Sequence, residues 1–297
     1  MAYTIETHGL TKAFKGHRVL ESLDLHVAPG EVFALLGPNG AGKTTTVRIL
    51  ATLESPDGGT ARVAGHDVVT QPGKVRERIS LTAQEAAVDG VLTGAENLRM
   101  MARLRRVPDP RQRAAELLER FDLQDAADRR VATYSGGMRR RLDLALGLVT
   151  QPAVIFLDEP STGLDPRSRL AVWEAVKQLK DEGATILLTT QYLEEADRLA
   201  DRIAVLNHGR IAAQGTAAEL KQRVAGETLE LFFAGDAQLA QAQRTLHGRP
   251  DSDTLSLKVP ADGPHDVKRA LDALDGVPID RLELHAPTLD DVFLSLT

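Results

Sequence analysis

The sequence contains no cysteine, no long apolar run and no large excess of either charge. Without cysteine the chain can form neither a disulfide framework nor a thiolate metal site, and we expect a reducing compartment. The longest uninterrupted apolar runs, such as residues 153–157, are about five residues, whereas a membrane-spanning helix needs about 20. The first 25 residues lack the apolar core of a signal peptide. The sequence therefore predicts a protein that neither spans a membrane nor is exported by a standard signal.

The chain has 36 basic and 42 acidic side chains and a formal net charge of −6. An acidic balance argues against bulk nucleic-acid binding, so we expect no nucleic-acid partner. The charge is uneven, because residues 222–297 carry 7 basic and 13 acidic side chains whereas residues 1–221 are neutral. The hydrophobic pattern changes near residues 223–226. Since 297 residues leave room for two domains, we predict one domain over residues 1–221 and a second over residues 222–297.

Two kinds of hydrophobic pattern occur in the first domain. Residues 4–14 and 18–27 alternate apolar and polar side chains, as half-exposed antiparallel strands do. Short, uniformly apolar runs indicate buried strands, and segments with helical spacing separate them. We therefore predict an α/β domain with a mostly parallel sheet covered by helices. The predicted buried strands are residues 31–36, 79–82, 153–157 and 185–189, and the predicted helical regions are residues 42–53, 95–149 and 166–180.

The second domain is predicted to be a small α/β unit without any phosphate-binding pattern. Its predicted strands are residues 228–233, 253–259 and 279–285, and its predicted helices are residues 236–246, 264–274 and 288–296.

A phosphate-binding loop follows the first predicted buried strand. Residues 37–44 match the pattern G-x-x-x-x-G-K-[ST] in the strand–loop–helix context that it requires. Glycines let backbone N–H groups converge on phosphates, and the helix N-terminus adds a positive partial charge. Lys43 supplies a formal positive charge, and the hydroxyl of Thr44 can bind Mg²⁺. The predicted nucleotide-binding residues of this loop are Gly37, Pro38, Asn39, Gly40, Ala41, Gly42, Lys43, Thr44 and Thr45.

Two carboxylates follow the predicted strand of residues 153–157. Neighbouring side chains of a strand point in different directions, so Asp158 and Glu159 can serve different purposes. We expect Asp158 to bind Mg²⁺ and Glu159 to act as the general base on an attacking water. An acidic turn after a core strand is the alternative interpretation of such a pair.

Residues 134–138, Tyr-Ser-Gly-Gly-Met, stand at the start of a predicted helix that continues with three arginines, residues 139–141. They resemble the Leu-Ser-Gly-Gly-Gln signature motif of ATP-binding cassette (ABC) ATPases, with Ser135, Gly136 and Gly137 unchanged. A serine hydroxyl and glycine N–H groups at a helix start form an anion site. Read alone, Ser-Gly-Gly is a weak signal that usually marks a helix cap. We expect the three arginines to be solvated or to lie near phosphates.

Further elements of ABC ATPases appear in the family's order. The resemblance implies that Phe14 stacks on adenine and that Gln84 contacts Mg²⁺ and couples to a membrane partner. It implies that Asp165, at the end of Ser-Thr-Gly-Leu-Asp, belongs to the loop that meets an opposing subunit. Gln191 stands where the family normally has a histidine that contacts the γ-phosphate. The alternatives are that Phe14 is a core residue and that Gln84 and Gln191 are ordinary exposed glutamines.

The positions at which the chain departs from the family pattern are similar to one subgroup of the family. Gln191 is followed by Tyr-Leu-Glu-Glu-Ala-Asp, which is similar to the daunorubicin/doxorubicin-resistance type of drug-export ATPase. Residues 134–141 and the tail, residues 289–297, are similar to the same subgroup. The ABC resemblance covers residues 3–221. It implies a mixed-sheet core with an antiparallel β subdomain and a helical subdomain, followed by the C-terminal domain of the subgroup.

The resemblance also implies cofactors and partners. Because each chain has one copy of each motif, two chains would sandwich ATP and Mg²⁺ as a homodimer. A separate transmembrane permease would move a small-molecule cargo, with this chain peripheral at the cytoplasmic face of the membrane. Residues 222–297 would then contribute to assembly or permease coupling. Two alternatives stay open: a soluble ABC protein that acts on ribosomes or DNA, and an ATP-dependent binding or regulatory module with little turnover.

The eight histidines carry no metal-binding spacing. None forms an H-x-x-H or H-x₃-H pair, and cysteine is absent, so we expect no transition-metal site. Trp173 lies on a predicted helix and is expected to be a packing residue.

Overall fold

A computed structural model describes residues 3–83, 87–223, 226–261 and 263–296. The chain divides into two compact units, residues 1–217 and 218–297, whereas the sequence places the boundary after residue 221. Among the described residues, no helix has both the length and the apolar character needed to cross a membrane.

The described residues of the first unit form ten strands. They are β1 (Ile5–Phe14), β2 (His17–Val27), β3 (Val32–Leu36), β4 (Gly58–Val63), β5 (His66–Asp67), β6 (Ile79–Thr82), β7 (Val154–Asp158), β8 (Thr185–Thr190), β9 (Arg202–Asn207) and β10 (Arg210–Gly215) among the described residues.

Two sheets organise these strands. An antiparallel sheet has the order β2-β1-β4-β5, and a six-stranded sheet has the order β10-β9-β3-β8-β7-β6. Among the described strands of the larger sheet, β9 and β10 pair antiparallel and the other pairs are parallel. Strands β3, β7 and β8 are buried along their whole length, which explains their uniformly apolar sequences. Because they run parallel, their carboxyl ends meet at one edge, where the residues that follow each strand come together.

Eight α-helices accompany these sheets in the described part of the chain. They are α1 (Lys43–Leu50), α2 (Pro72–Arg78), α3 (Gly94–Leu104), α4 (Pro110–Arg120), α5 (Gly136–Gly147), α6 (Pro166–Asp181), α7 (Leu193–Leu199) and α8 (Ala217–Lys221), the last of which spans the boundary between the units.

The helix boundaries follow from local signals. Ser135 accepts a hydrogen bond from the N–H of Met138 and caps α5, so the helix begins at Gly136. Asp165 caps α6 in the same way, ahead of Pro166. Helix α1 is shorter than predicted, and Thr52 just beyond it adopts a φ of 64°, which a helix cannot contain.

The second unit has four strands and three helices in its described residues. They are β11 (Thr228–Phe232), α9 (Asp236–Leu246), β12 (Arg249–Asp251), β13 (Ser256–Pro260), α10 (Pro264–Ala273), β14 (Arg281–His285) and α11 (Leu289–Leu296).

These elements form an antiparallel sheet with the order β12-β13-β11-β14. The β-α-β-β-α-β order with this pairing is the split βαβ arrangement of ferredoxin-like folds. Leu229, Leu231 and Leu257 are fully buried beneath α9 and α10. Strand β12 was not predicted from the sequence, and the next strand was predicted to start at residue 253. In the structure Asp251 instead accepts hydrogen bonds from the N–H groups of residues 253 and 254, which turns the chain before β13.

Candidate functional site

The phosphate-binding loop joins β3 to α1 and depends on its glycines. A Cβ at Gly37 would lie 2.4 Å from the carbonyl oxygen of Leu206. Gly42 has a φ of 108°, and a Cβ there would lie 2.7 Å from the side chain of Leu20. Neither position tolerates a larger residue without movement of the backbone or its neighbours. The loop is therefore shaped to present backbone N–H groups ahead of α1.

Lys43 is the first residue of α1 and is 4% exposed. Its Nζ donates hydrogen bonds to the carbonyl oxygens of Gly37 (2.8 Å) and Pro38 (3.1 Å). The same nitrogen lies 3.4 Å from Oε1 of Glu159. Two hydrogen bonds and this ion pair therefore hold the ammonium over the loop. A phosphate oxygen in the loop would meet a positive charge that is already oriented.

Asp158 ends β7 and is 6% exposed. Its Oδ1 accepts hydrogen bonds from the hydroxyls of Thr44 (3.2 Å) and Thr189 (2.5 Å). The carboxylate of Asp158 and the hydroxyl of Thr44 are thus side by side, and both are hard oxygen donors of the kind that Mg²⁺ prefers. This donor pair fits a magnesium ion.

Glu159 has a backbone conformation that is uncommon for its residue type. Its φ is 49°, in the left-handed region. Its N–H donates to the carbonyl oxygen of Thr189 (3.1 Å), and its Oε2 accepts from the hydroxyl of Thr162 (3.2 Å). These contacts hold the carboxylate beside Lys43 while Asp158 faces Thr44, so the two acidic side chains point to different partners.

A cavity of about 680 Å³ opens over the loop. This volume lies within the usual range of small-molecule sites, about 300–1,000 Å³. It is lined by His17, Val19, Asn39, Gly40, Gly42, Lys43, Thr44, Thr45, Glu159, Thr162 and Gln191. Eight of these are residues that the sequence analysis selected. His17, Val19 and Thr162 were not selected: Thr162 lies within the motif that ends at Asp165, but no motif marks the two residues of β2.

Several selected residues do not line this cavity. Phe14 is 43% exposed at the end of β1, where Nζ of Lys12 lies 5.2 Å from the centre of its ring. Ser135 and Asp165 are occupied as helix caps, and Gly136 and Gly137 form the first turn of α5. Gln84 lies outside the described residues. A Cβ at Gly137 would lie 2.5 Å from the hydroxyl of Ser168, so α5 and α6 approach closely at this glycine.

Arg140 differs from the sequence expectation for the arginine run. It is 5% exposed, neither solvated nor among the residues that line the cavity. Its guanidinium donates to the carbonyl oxygens of Ala83 (2.6 Å), Asp158 (3.3 Å) and Pro160 (2.8 Å), and it pairs with Asp143 at 3.3 Å. Burial lowers the pKa of Arg140, an effect that the nearby carboxylate of Asp143 opposes. Arg140 therefore fastens α5 to the ends of β6 and β7.

Trp173 is a packing residue, as expected. It is 2% exposed, and its Nε1 donates to Oε1 of the fully buried Glu195 at 2.9 Å.

Two family models match different parts of the chain. The model described as "ABC transporter" matches residues 20–162, and the model "ATP-binding protein DrrA1-3-like, C-terminal domain" matches residues 215–297. The daunorubicin/doxorubicin resistance ATP-binding protein DrrA of Streptomyces peucetius is 52% identical, over 99% of this chain and 92% of that protein. The chain belongs to the DrrA family of ABC transporter ATP-binding proteins. A more distant DrrA, the doxorubicin resistance ATP-binding protein of Mycobacterium tuberculosis, is 48% identical over 99% of this chain and 93% of its own length.

Solved structures support the same assignment for the ATPase part of this DrrA-family chain. An ATP-binding subunit of an ABC transporter is 30% identical and has a TM-score of 0.66, covering 74% of this chain and 92% of its own. CbiO1 of Clostridium perfringens, part of an ABC transporter complex, is 25% identical with a TM-score of 0.69, covering 74% and 91%. The predicted family and α/β fold are confirmed, and the chain is an ABC ATPase that binds and hydrolyses ATP.

Proposed function

We propose that this chain is the ATP-hydrolysing motor subunit of an exporter for a drug or antibiotic-like compound. The main support for the proposal is that Lys43, Thr44 and Glu159 line the same cavity. In addition, relatives that match over 99% of this chain are named for daunorubicin and doxorubicin resistance. A phosphate-binding cation and a general base in one cavity supply the parts that phosphoryl transfer to water requires. The compound that is exported is inferred from the relatives by class only.

Within this cavity we assign a separate role to each polar group. Lys43 and the loop amides would bind the phosphates of ATP, and Thr44 and Asp158 would hold Mg²⁺, together with Gln84 as the family implies. A bound Mg²⁺ would neutralise the charge that develops on the phosphate oxygens. Glu159 would accept the proton of the attacking water. Gln191, which lines the cavity, would donate a hydrogen bond to the γ-phosphate without titrating.

The second half of the nucleotide site would come from another copy of the chain. Ser135, Gly136, Gly137 and Asp165 do not line the cavity of their own chain, although the family pattern assigns them to nucleotide contact. One chain carries one copy of each motif. A homodimer in which each signature segment covers the partner's phosphate loop would reconcile these observations. Phe14, which is exposed, would move onto adenine only when nucleotide is bound.

The motor would act on a separate transmembrane permease at the cytoplasmic face of the membrane. Residues 1–221 would form the ATPase domain. Residues 222–297 would contribute to assembly or permease coupling, which fits their lack of a phosphate-binding pattern.

The test is transport rather than ATP hydrolysis alone. Inverted membrane vesicles that contain the permease are supplied with the wild-type chain or with Glu159→Gln, and uptake of a fluorescent anthracycline is followed after ATP is added. We expect ATP-dependent uptake with the wild type and none with the variant, while both remain in the membrane fraction. ATP hydrolysis without uptake of any compound tested, and without membrane recovery when permease is present, would favour the alternative of a soluble regulatory ATPase.

A further inference from the structure

Glu6, His8 and His26 lie together on the outer face of the antiparallel sheet. The register of β1 and β2 pairs Glu6 with His26, and His8 lies two residues further along β1 on the same side. Their neighbours Thr7 and Leu25 are fully buried on the opposite face. Two imidazoles and a carboxylate therefore meet outside the core, at a point that no sequence spacing reveals.

The donor atoms of these three side chains are close enough to share one ion. Nε2 of His8 lies 3.0 Å from Oε1 of Glu6, and the ring centres of His8 and His26 are 5.2 Å apart. One donor atom from each residue lies within 4.8 Å of the other two. In a tetrahedral zinc site with bonds of about 2.0–2.2 Å, neighbouring donor atoms lie about 3.3–3.6 Å apart. Small rotations of these side chains, none of which is buried, close the difference.

The local charge also favours a cation at this position. Within the described residues, Glu6 has no ion pair with lysine or arginine; its β4 neighbour Arg62 donates to the carbonyl oxygen of Gly65 instead. Among the described residues, the side chain that pairs with the Glu6 carboxylate is the imidazole of His8, and imidazole binds metals in its neutral form.

A second group of similar composition, in the C-terminal unit, differs in this respect. Glu230, Glu283 and His285 also converge, but Lys258 lies 3.7 Å from Glu230 and Arg281 lies 3.1 Å from Glu283. Protein cations already compensate these carboxylates, so a metal ion gains less there. This second group therefore serves as an internal comparison for the first.

We propose that Glu6, His8 and His26 bind one divalent transition-metal ion of the zinc class. Imidazole ligands favour zinc, nickel, cobalt and copper over magnesium, so the site differs from the oxygen-lined position beside Asp158. Three protein ligands leave at least one coordination position for water. The bound ion links β1 to β2 and stabilises the first unit. The expectation that the histidines form no transition-metal site considered spacing along the chain, whereas strand pairing supplies the third ligand.

The test is a calorimetric titration of the untagged full chain with Zn²⁺ near neutral pH, in excess Mg²⁺. His8→Ala and His26→Ala are compared with His265→Ala, which removes an exposed histidine of α10. We expect each of the first two variants to weaken Zn²⁺ binding about 10-fold or more, and the control to bind like the wild type. Zn²⁺ should raise the thermal unfolding temperature of the wild type but not of His26→Ala.

Two further measurements make the outcome decisive. Co²⁺ in place of Zn²⁺ should give a visible absorption spectrum in the wild type that is lost in both variants, and circular dichroism checks that each variant is folded. Equal Zn²⁺ affinity in all four proteins, or no binding by the wild type, overturns the proposal. A fifth protein, His285→Ala, tests the second group: loss of binding in this variant with retention in His26→Ala also overturns the proposal, because it places the ion in the second unit.

Discussion

Replacing Arg140 by methionine should lower the free energy of unfolding of the first unit by about 3–5 kcal/mol, because it leaves one member of a buried ion pair without its partner. Arg140 and Asp143 have side-chain exposures of 6% and 5%. The substitution also removes the donors to the carbonyl oxygens of Ala83, Asp158 and Pro160. The remaining carboxylate would keep only the hydrogen bond from the N–H of residue 87.

The pH dependence of this loss has a definite sign. Burial raises the pKa of Asp143, and the N–H of Ala87 and the charge of Arg140 partly oppose that rise. Without Arg140 the pKa of Asp143 rises further. A carboxyl group with a raised pKa binds its proton more tightly in the folded state, so the unfolding free energy falls as pH rises from about 3.9, the ordinary value, through the raised value. Arg140→Met should therefore be more destabilising near neutral pH than near about pH 4.5.

Urea unfolding followed by tryptophan fluorescence measures this loss selectively. Trp173 is the only tryptophan, and it is buried in the first unit. Lys177→Met on α6 is the matched control, because it breaks a half-exposed ion pair with Glu174 that should contribute less than about 1 kcal/mol. The double variant Arg140→Met/Asp143→Asn should be more stable than the single variant. A loss below about 1 kcal/mol for Arg140→Met, or no recovery in the double variant, would refute this account of the buried pair.

Three other predictions concern the site and the second unit. Lys43→Ala should abolish productive ATP binding, whereas Glu159→Gln should still bind ATP but no longer hydrolyse it. Binding of labelled ATP and release of phosphate measure the two effects. Near-normal hydrolysis by Glu159→Gln would contradict the role of Glu159 as the general base. Gln191→Ala should lower the turnover of ATP about 10-fold or more with little change in ATP affinity, and Gln191→His should stay active and acquire a pH dependence near neutrality. Steady-state ATPase assays from about pH 6 to 8.5 test both variants. Unchanged turnover in Gln191→Ala would show that this side chain takes no part in hydrolysis. Leu231→Ala should destabilise the second unit by about 2–5 kcal/mol in calorimetry, because Leu231 lies in the core of that unit. The affinity for ATP should not change, because the cavity is lined by residues of the first unit. A loss of ATP affinity in the folded variant would argue against a nucleotide site built from the first unit alone.

Local sequence patterns were sufficient for the α/β fold and for most of its buried strands. The apolar run of β3 and the glycines that follow it specify a strand, a loop and a helix within a few residues of one another. That local context predicts that Lys43 begins the helix, even without knowing which strands pair with one another. The roles assigned to the site residues stay predictions, because the cavity shows proximity and not turnover.

Features that depend on pairing between distant segments could not be predicted in this way. The register that sets Glu6 opposite His26 arises from the alignment of two strands, and β12 is too short to carry a hydrophobic period. Arg140 resembles its neighbours in sequence, yet its helix turns it inward toward carbonyl groups from three other positions. These contacts of Arg140 depend on how α5 packs against the sheet, and the run of three arginines in the sequence does not show which of them faces inward.

At Glu159 a backbone conformation that lowers stability coincides with a side chain that hydrolysis is proposed to require. A left-handed conformation costs a non-glycine residue about 1–2 kcal/mol, and glycine or asparagine would adopt a φ of 49° more readily. Selection of variants for thermal stability alone should therefore enrich glycine or asparagine at position 159, with loss of the carboxylate beside Lys43. A thermostable form of this chain that still hydrolyses ATP should be sought with residue 159 held fixed, because the most accessible gain in stability there removes the group proposed to activate water.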